Sequence, residues 1–128
     1  MKKMKPIIAL LLCVCCLSIF VACTSSLDPD TVAKNLKDDG YIVNSIPADN
    51  TGLGLQLKLN GIKHRITGMK IVDGDSVYSV TINWYVSESK AQSAYEDYLE
   101  TNDSSSVYKK GNMVAIGYYE AIEFIKTM

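Results

Sequence analysis

From position 28 onward, apolar positions along the chain keep two different rhythms, and each rhythm names an element. In "DPDTVAKNLKDDG", Val32, Ala33 and Leu36 share one helical face while Lys34, Lys37 and Asp38 point away. Asp28 suits the cap, Pro29 the first helical position, and Asp30 the positive end of the helix dipole. Gly40 then supplies the left-handed residue that stops a helix. A strand follows from Tyr41 to Ile46, ended by Pro47 and a polar loop from Ala48 to Gly54.

In "LQLKL" the apolar positions alternate, with Leu55, Leu57 and Leu59 on one face of an expected strand. Asn60-Gly61 is the dipeptide that most favours a two-residue hairpin turn, so Leu59 is expected opposite Ile62, Leu57 opposite His64 and Leu55 opposite Ile66. Met69 and Ile71 fall on the other alternation from Ile66, and Gly68 is the expected place for a bulge that absorbs the change. Asp73 to Asp75 mark a turn.

The clearest strand comes next. Tyr78, Val80, Ile82, Trp84 and Val86 form an apolar face, and Ser79, Thr81, Asn83 and Tyr85 form a wetter one. Ser87 caps a helix whose stripe is Ala91, Ala94, Tyr95, Tyr98 and Leu99, and "TNDSSS" reads as a loop. Val107–Lys109 and Met113–Tyr118 form a hairpin around Gly111, and a short helix from Tyr119 to Met128 aligns Ile122 with Ile125. The sum is an α+β fold in two layers, an antiparallel sheet of about five to six strands with two to three helices on one face. With 128 residues, there is room for one such domain, expected over 28–128.

Ahead of that domain lies a different kind of segment. Pro6 to Ala22 is nearly unbroken apolar sequence, preceded by Lys2, Lys3 and Lys5 and followed at once by Cys23. A charged start, an apolar middle and a small residue at the end describe an export signal. Cys13, Cys15 and Cys16 lie within the apolar stretch, where cysteine behaves as a small hydrophobe. Removing the segment leaves Cys23 as the only thiol, unable to close an internal disulfide.

The run "FVAC", with Val21 and Ala22 before the cysteine, resembles the lipobox of bacterial lipoprotein precursors. Phe20 stands where that class usually carries Leu, Val or Ile. The resemblance implies cleavage after Ala22 and a diacylglyceryl group on the sulfur of Cys23, so 1–22 would be signal, 23–27 an acylated cysteine with its tether. It implies an exported protein, lipid-anchored outside the cytoplasmic membrane or to an envelope membrane in a two-membraned cell. Two acyl chains meet the physical requirement for stable anchoring, each buried methylene contributing about 0.8 kcal/mol. Cleavage by the general signal peptidase and retention as a short membrane helix are the alternatives for this segment. With Cys23 anchored, a tether of a few residues at about 3.3 Å each holds the domain close to the bilayer.

Charge and chemistry narrow the function only by exclusion. Setting aside Lys2, Lys3 and Lys5 leaves 10 basic side chains against 14 acidic ones, a balance of -4. Such a body has no basic stripe for phosphates, which argues against nucleic acid as a partner. His64 is the sole histidine and sits on an expected strand among leucines, which reads as packing rather than catalysis. Asp73 and Asp75, with Asp49 and Asn50 in another loop, offer weak calcium ligands, but Asp and Gly are what turns use anyway. Gly52-Leu53-Gly54 lacks the lysine and helix start of a phosphate loop. No catalytic residue, cofactor or metal is assigned.

The polar face of the best strand, Thr81, Asn83 and Tyr85, is the candidate interaction surface, because exposed tyrosine gives contact area at low entropy cost. The expected function is a membrane-anchored, non-enzymatic binding module with an envelope protein or a peptide at a sheet edge as partner. Capture of a small ligand is the second reading. An envelope hydrolase using carboxylates such as Asp73, Asp75 or Glu120 is the third.

Overall fold

A computed structural model describes residues 26–128, and the expected export signal with Ala22 and Cys23 lies outside them. The described chain runs α1 (Pro29–Asp38), β1 (Ile42–Pro47), α2 (Gly52–Leu59), β2 (Ile62–Val72), β3 (Ser76–Tyr85), α3 (Glu88–Thr101), β4 (Val107–Lys110), β5 (Met113–Gly117) and α4 (Tyr119–Lys126). One sheet holds all five strands in the order β1-β2-β3-β5-β4, every neighbouring pair antiparallel. The α+β class expected from the sequence is what the structure shows.

Local chemistry accounts for most of the boundaries. The Asp28 carboxylate accepts from the Thr31 N–H at 3.1 Å, Pro29 opens α1, and Gly40 closes the segment with φ +95°. Ser87 Oγ accepts from the Lys90 N–H at 3.2 Å and starts α3. The β2–β3 hairpin turns through Asp73 and Gly74, at φ +55° and +80°, as their composition predicts.

The larger core lies on one face of the sheet. Ile66, Val80, Ile82, Trp84 and Met113 point from the strands against Val32 and Leu36 of α1 and Ile122 and Ile125 of α4. This is the expected layer of helices on sheet. A second, smaller cluster sits on the opposite face at one end, where Leu57 of α2 and Ala91 of α3 cover Ile62, Tyr85, Val107 and Val114. The rest of that face stays uncovered.

The sequence pattern misassigned one element. Leu55–Leu59, expected as a strand, belongs to helix α2, and Asn60-Gly61 is its C-terminal cap, with Gly61 at φ +73°, not a hairpin turn. The same leucines that alternate also recur four apart, Leu53 with Leu57 and Leu55 with Leu59, and leucine is a strong helix former. Asn-Gly ends a helix as readily as it turns a hairpin. The expected pairs of Leu55, Leu57 and Leu59 with β2 therefore do not form, and Ile66 lies between Ser45 and Ile82 instead.

Gly68 carries no bulge. It pairs in register with Val43 and Val80, and the irregularity falls between Ile62 and His64. A methyl at Gly68 would stand 3.3 Å from Val80 Cγ1 and 3.4 Å from Tyr41, so glycine here makes room for Tyr41 to pack on the sheet. The parity change that suggested a bulge has another meaning: Met69 and Ile71 lie on the uncovered face and are exposed.

Gly117 is set by close approach. A Cβ there would come 2.3 Å from the Ser79 carbonyl oxygen and 2.7 Å from Val80 Cα, and neither backbone atom can rotate away. Gly117→Ala is expected to cost about 3 kcal/mol by overpacking, lowering the melting temperature by roughly 10 °C or more. Gly52→Ala, which meets nothing within 4 Å but has φ +57°, is expected to cost about 1 kcal/mol. Thermal unfolding followed by circular dichroism checks the order of the two.

Candidate functional site

The expected interaction surface divides in two. Asn83 and Tyr85 are 1% and 6% exposed, because α2 and α3 pack over this end of the sheet; they are interior residues, not a surface. Thr81, further down β3, is half-buried at the margin of the open region. The sequence did not show this cover, since the segment that supplies α2 read as a strand and α3 was expected on the same face as the other helices.

The acids named as alternatives lie on two elements, and burial and then the charges of Glu120 and Asp73 raise the Tyr78 phenol. Asp73 and Asp75 sit in the exposed β2–β3 turn, and Glu120 lies in the first turn of α4. No group of three His, Cys, Asp or Glu side chains placed to hold a metal occurs among the described residues. His64 is half-buried, with Nε2 2.6 Å from Ser45 Oγ and its ring edge-on to Trp84 at 5.9 Å. Its neighbours are thus Ser45 and Trp84 rather than leucines. Among the described residues no carboxylate hydrogen-bonds its other nitrogen, so the pair lacks the orienting group of a triad.

Both ends of the sheet have a distinct character. At the end where β3 finishes, the beginning of the described chain is fastened to the body. Ser26 Oγ donates to Asn112 Oδ1, Asn112 Nδ2 donates to the Tyr85 carbonyl at 2.7 Å, and Trp84 Nε1 donates to the Leu27 carbonyl at 2.7 Å. A cleft of about 430 Å³ opens beside this junction, lined by Ser26, Leu27, Lys63, His64, Trp84 and Asn112 among others. Leu59 at the end of α2 and Val86 just after β3 are exposed here, and the Val86 N–H bonds to the Gly61 carbonyl at 2.9 Å.

On the α2 side of the sheet lies Arg65, the chain's single arginine. Its Nε donates to Asn83 Oδ1 at 2.7 Å, which uses the buried amide's acceptor and leaves Asn83 Nδ2 without a partner. Beside it a pocket of about 100 Å³ is walled by Ile46, Leu53 and Leu57, with Gln56, Asn60 and Arg65 supplying the polar lining. Sequence reasoning missed this place. Its signal was present in the lone arginine, but only the pairing of Arg65 opposite Asn83 joins the two.

At the other end the sheet is bare. Ile42, Asn44, Thr67, Met69, Ser79 and Thr81 line a shallow depression of about 330 Å³. Ile71 and Val77, directly paired beyond it, are 60% and 45% exposed. The neighbouring edge is β1, whose outer side no strand covers among the described residues.

Comparison of the chain with protein-family models, with curated proteins and with solved structures gives no match. Among the described residues no helix is long and apolar enough to cross a membrane.

Burial and then the adjacent Tyr98 push the Tyr85 phenol up to about 12. An unfolded tyrosine ionises near 10, so between about pH 10 and 12 the unfolded chain loses a proton that the folded chain keeps. Stability is therefore unaffected by this group below pH 10 and falls as pH rises through that window. Tyr85→Phe is expected to flatten the fall, measured as urea midpoints at pH 9, 10 and 11.

Proposed function

We propose that this chain is an exported lipoprotein whose domain is a non-enzymatic binding module at the cell envelope, held by lipid on Cys23. The observation that carries the reading is the cysteine closing the apolar run only three residues before Ser26, a residue bonded to the body of the domain. Three residues reach on the order of 10 Å, so an anchor on Cys23 keeps the Ser26 end of the sheet against the bilayer.

That end suits the position. Leu59 and Val86 present apolar surface, while Lys63 lines the cleft beside Ser26, and the Lys90 stem lies against Gly61. Lysines beside anionic headgroups each contribute about 1 kcal/mol. Glu88 opens α3 nearby and offsets part of this.

With one end committed to the membrane, the bare end of the sheet faces outward. From Tyr85 to Ser76 the central strand spans roughly 30 Å at about 3.3 Å per residue. Ile42, Met69, Ile71 and Val77 together offer an apolar surface next to an open strand edge, the arrangement that accepts a partner's apolar side chains or an added strand. The partner in this reading is an envelope protein.

Cross-linking in intact cells checks it. A photo-cross-linker placed at Val77 is expected to give one discrete adduct, and Ile71→Glu to abolish it while shifting stability by no more than about 0.5 kcal/mol, as for other exposed positions. A smear, or an adduct indifferent to Ile71→Glu, contradicts the reading.

A further inference from the structure

We propose that the pocket beside Arg65 binds a terminal carboxylate carried on a short apolar group. The inference deepens the reading of the domain as a binding module and rests on it, though not on the anchor at Cys23.

A guanidinium stays charged at every accessible pH and carries five donors in a planar fork. Arg65 spends its Nε–H on the neutral amide of Asn83. The ion pairs among the described residues are Lys70–Asp39 and Lys126–Glu123, so no carboxylate compensates Arg65 there. The charge is half-buried and walled by Ile46, Leu53 and Leu57, a setting in which an unpaired cation is costly. A carboxylate answers this geometry with two parallel hydrogen bonds.

A buried amide backs Arg65 without lining the pocket itself. Asn83 is almost fully buried and its oxygen is taken by Arg65, which fixes the Nε edge of the guanidinium. Gln56 and Asn60 add further polar atoms to the lining.

Size and walls set the rest of the ligand. About 100 Å³ holds only a few heavy atoms, and three aliphatic walls favour methyl or ethyl over a polar substituent. A propionate-sized group fits this description, either as a free short-chain acid or as the C-terminal alanine of a peptide. The body's balance of -4 gives no long-range attraction for anions, so binding rests on contacts inside the pocket.

Calorimetry on the full-length protein, purified from membranes in detergent, separates the outcomes. The probes are sodium propionate, sodium chloride, and a tripeptide ending in Ala as the free acid or the amide. Saturable heat is expected from propionate, the free-acid peptide or both, the tighter one naming the source, with none from chloride or the amide. Arg65→Gln is expected to weaken binding at least about tenfold, and Arg65→Lys to weaken it less, since one charge remains but the fork is gone. Leu53→Trp, at an exposed wall position, is expected to block the pocket with Arg65 left in place, which guards against a variant that merely unfolds. No saturable heat up to about 50 mM carboxylate overturns the proposal, as does unchanged binding in folded Arg65→Gln. Loss of the carboxylate heat with the Val77 adduct intact defeats this site alone; loss of both defeats the binding module with it.

Discussion

The organisation of the domain depends on β3 being buried on both faces over its last three residues. Trp84 faces the core beneath α1 and α4, while Asn83 and Tyr85 face the cluster beneath α2 and α3. A central antiparallel strand wants apolar residues on its packed face and tolerates polar ones on its wet face. Here the second face is dry at one end only, so a polar residue is enclosed there, and Asn83 is satisfied by Arg65 on one side and by nothing on the other. The same half-cover leaves the opposite end of the face bare.

That asymmetry gives the molecule two unlike ends. The covered end holds the entry of the chain through Ser26, Leu27, Asn112 and Trp84, and it contains the Arg65 pocket. The uncovered end displays Ile42, Met69, Ile71 and Val77. A fastened chain entry at one end and an apolar sheet at the other is the layout that the proposed tethered binding module needs.

Much of this was legible in the residues. Caps at Asp28 and Ser87, the turn at Asp73-Gly74 and the hairpin through Gly111 are local chemistry, and local chemistry is what a sequence states directly. The leucines of α2 were not, because Leu55, Leu57 and Leu59 satisfy a period of two while their fourfold recurrence satisfies a helix, and only packing against β1 and β2 decides. That ambiguity hid part of the cover over Asn83 and Tyr85; the rest comes from α3, whose stripe was legible but whose side of the sheet was not. Arg65 escaped notice for the related reason that its meaning lies in a cross-strand neighbour.

The mass of the first tryptic peptide recovered from the membrane fraction decides whether the domain is lipid-anchored through Cys23. Lipidation of Cys23 gives a peptide beginning at Cys23 and ending at Lys34, heavier by a thioether-linked diacylglyceryl group. An unmodified Cys23, or a peptide that still runs back through Ala22 toward Pro6, would contradict it.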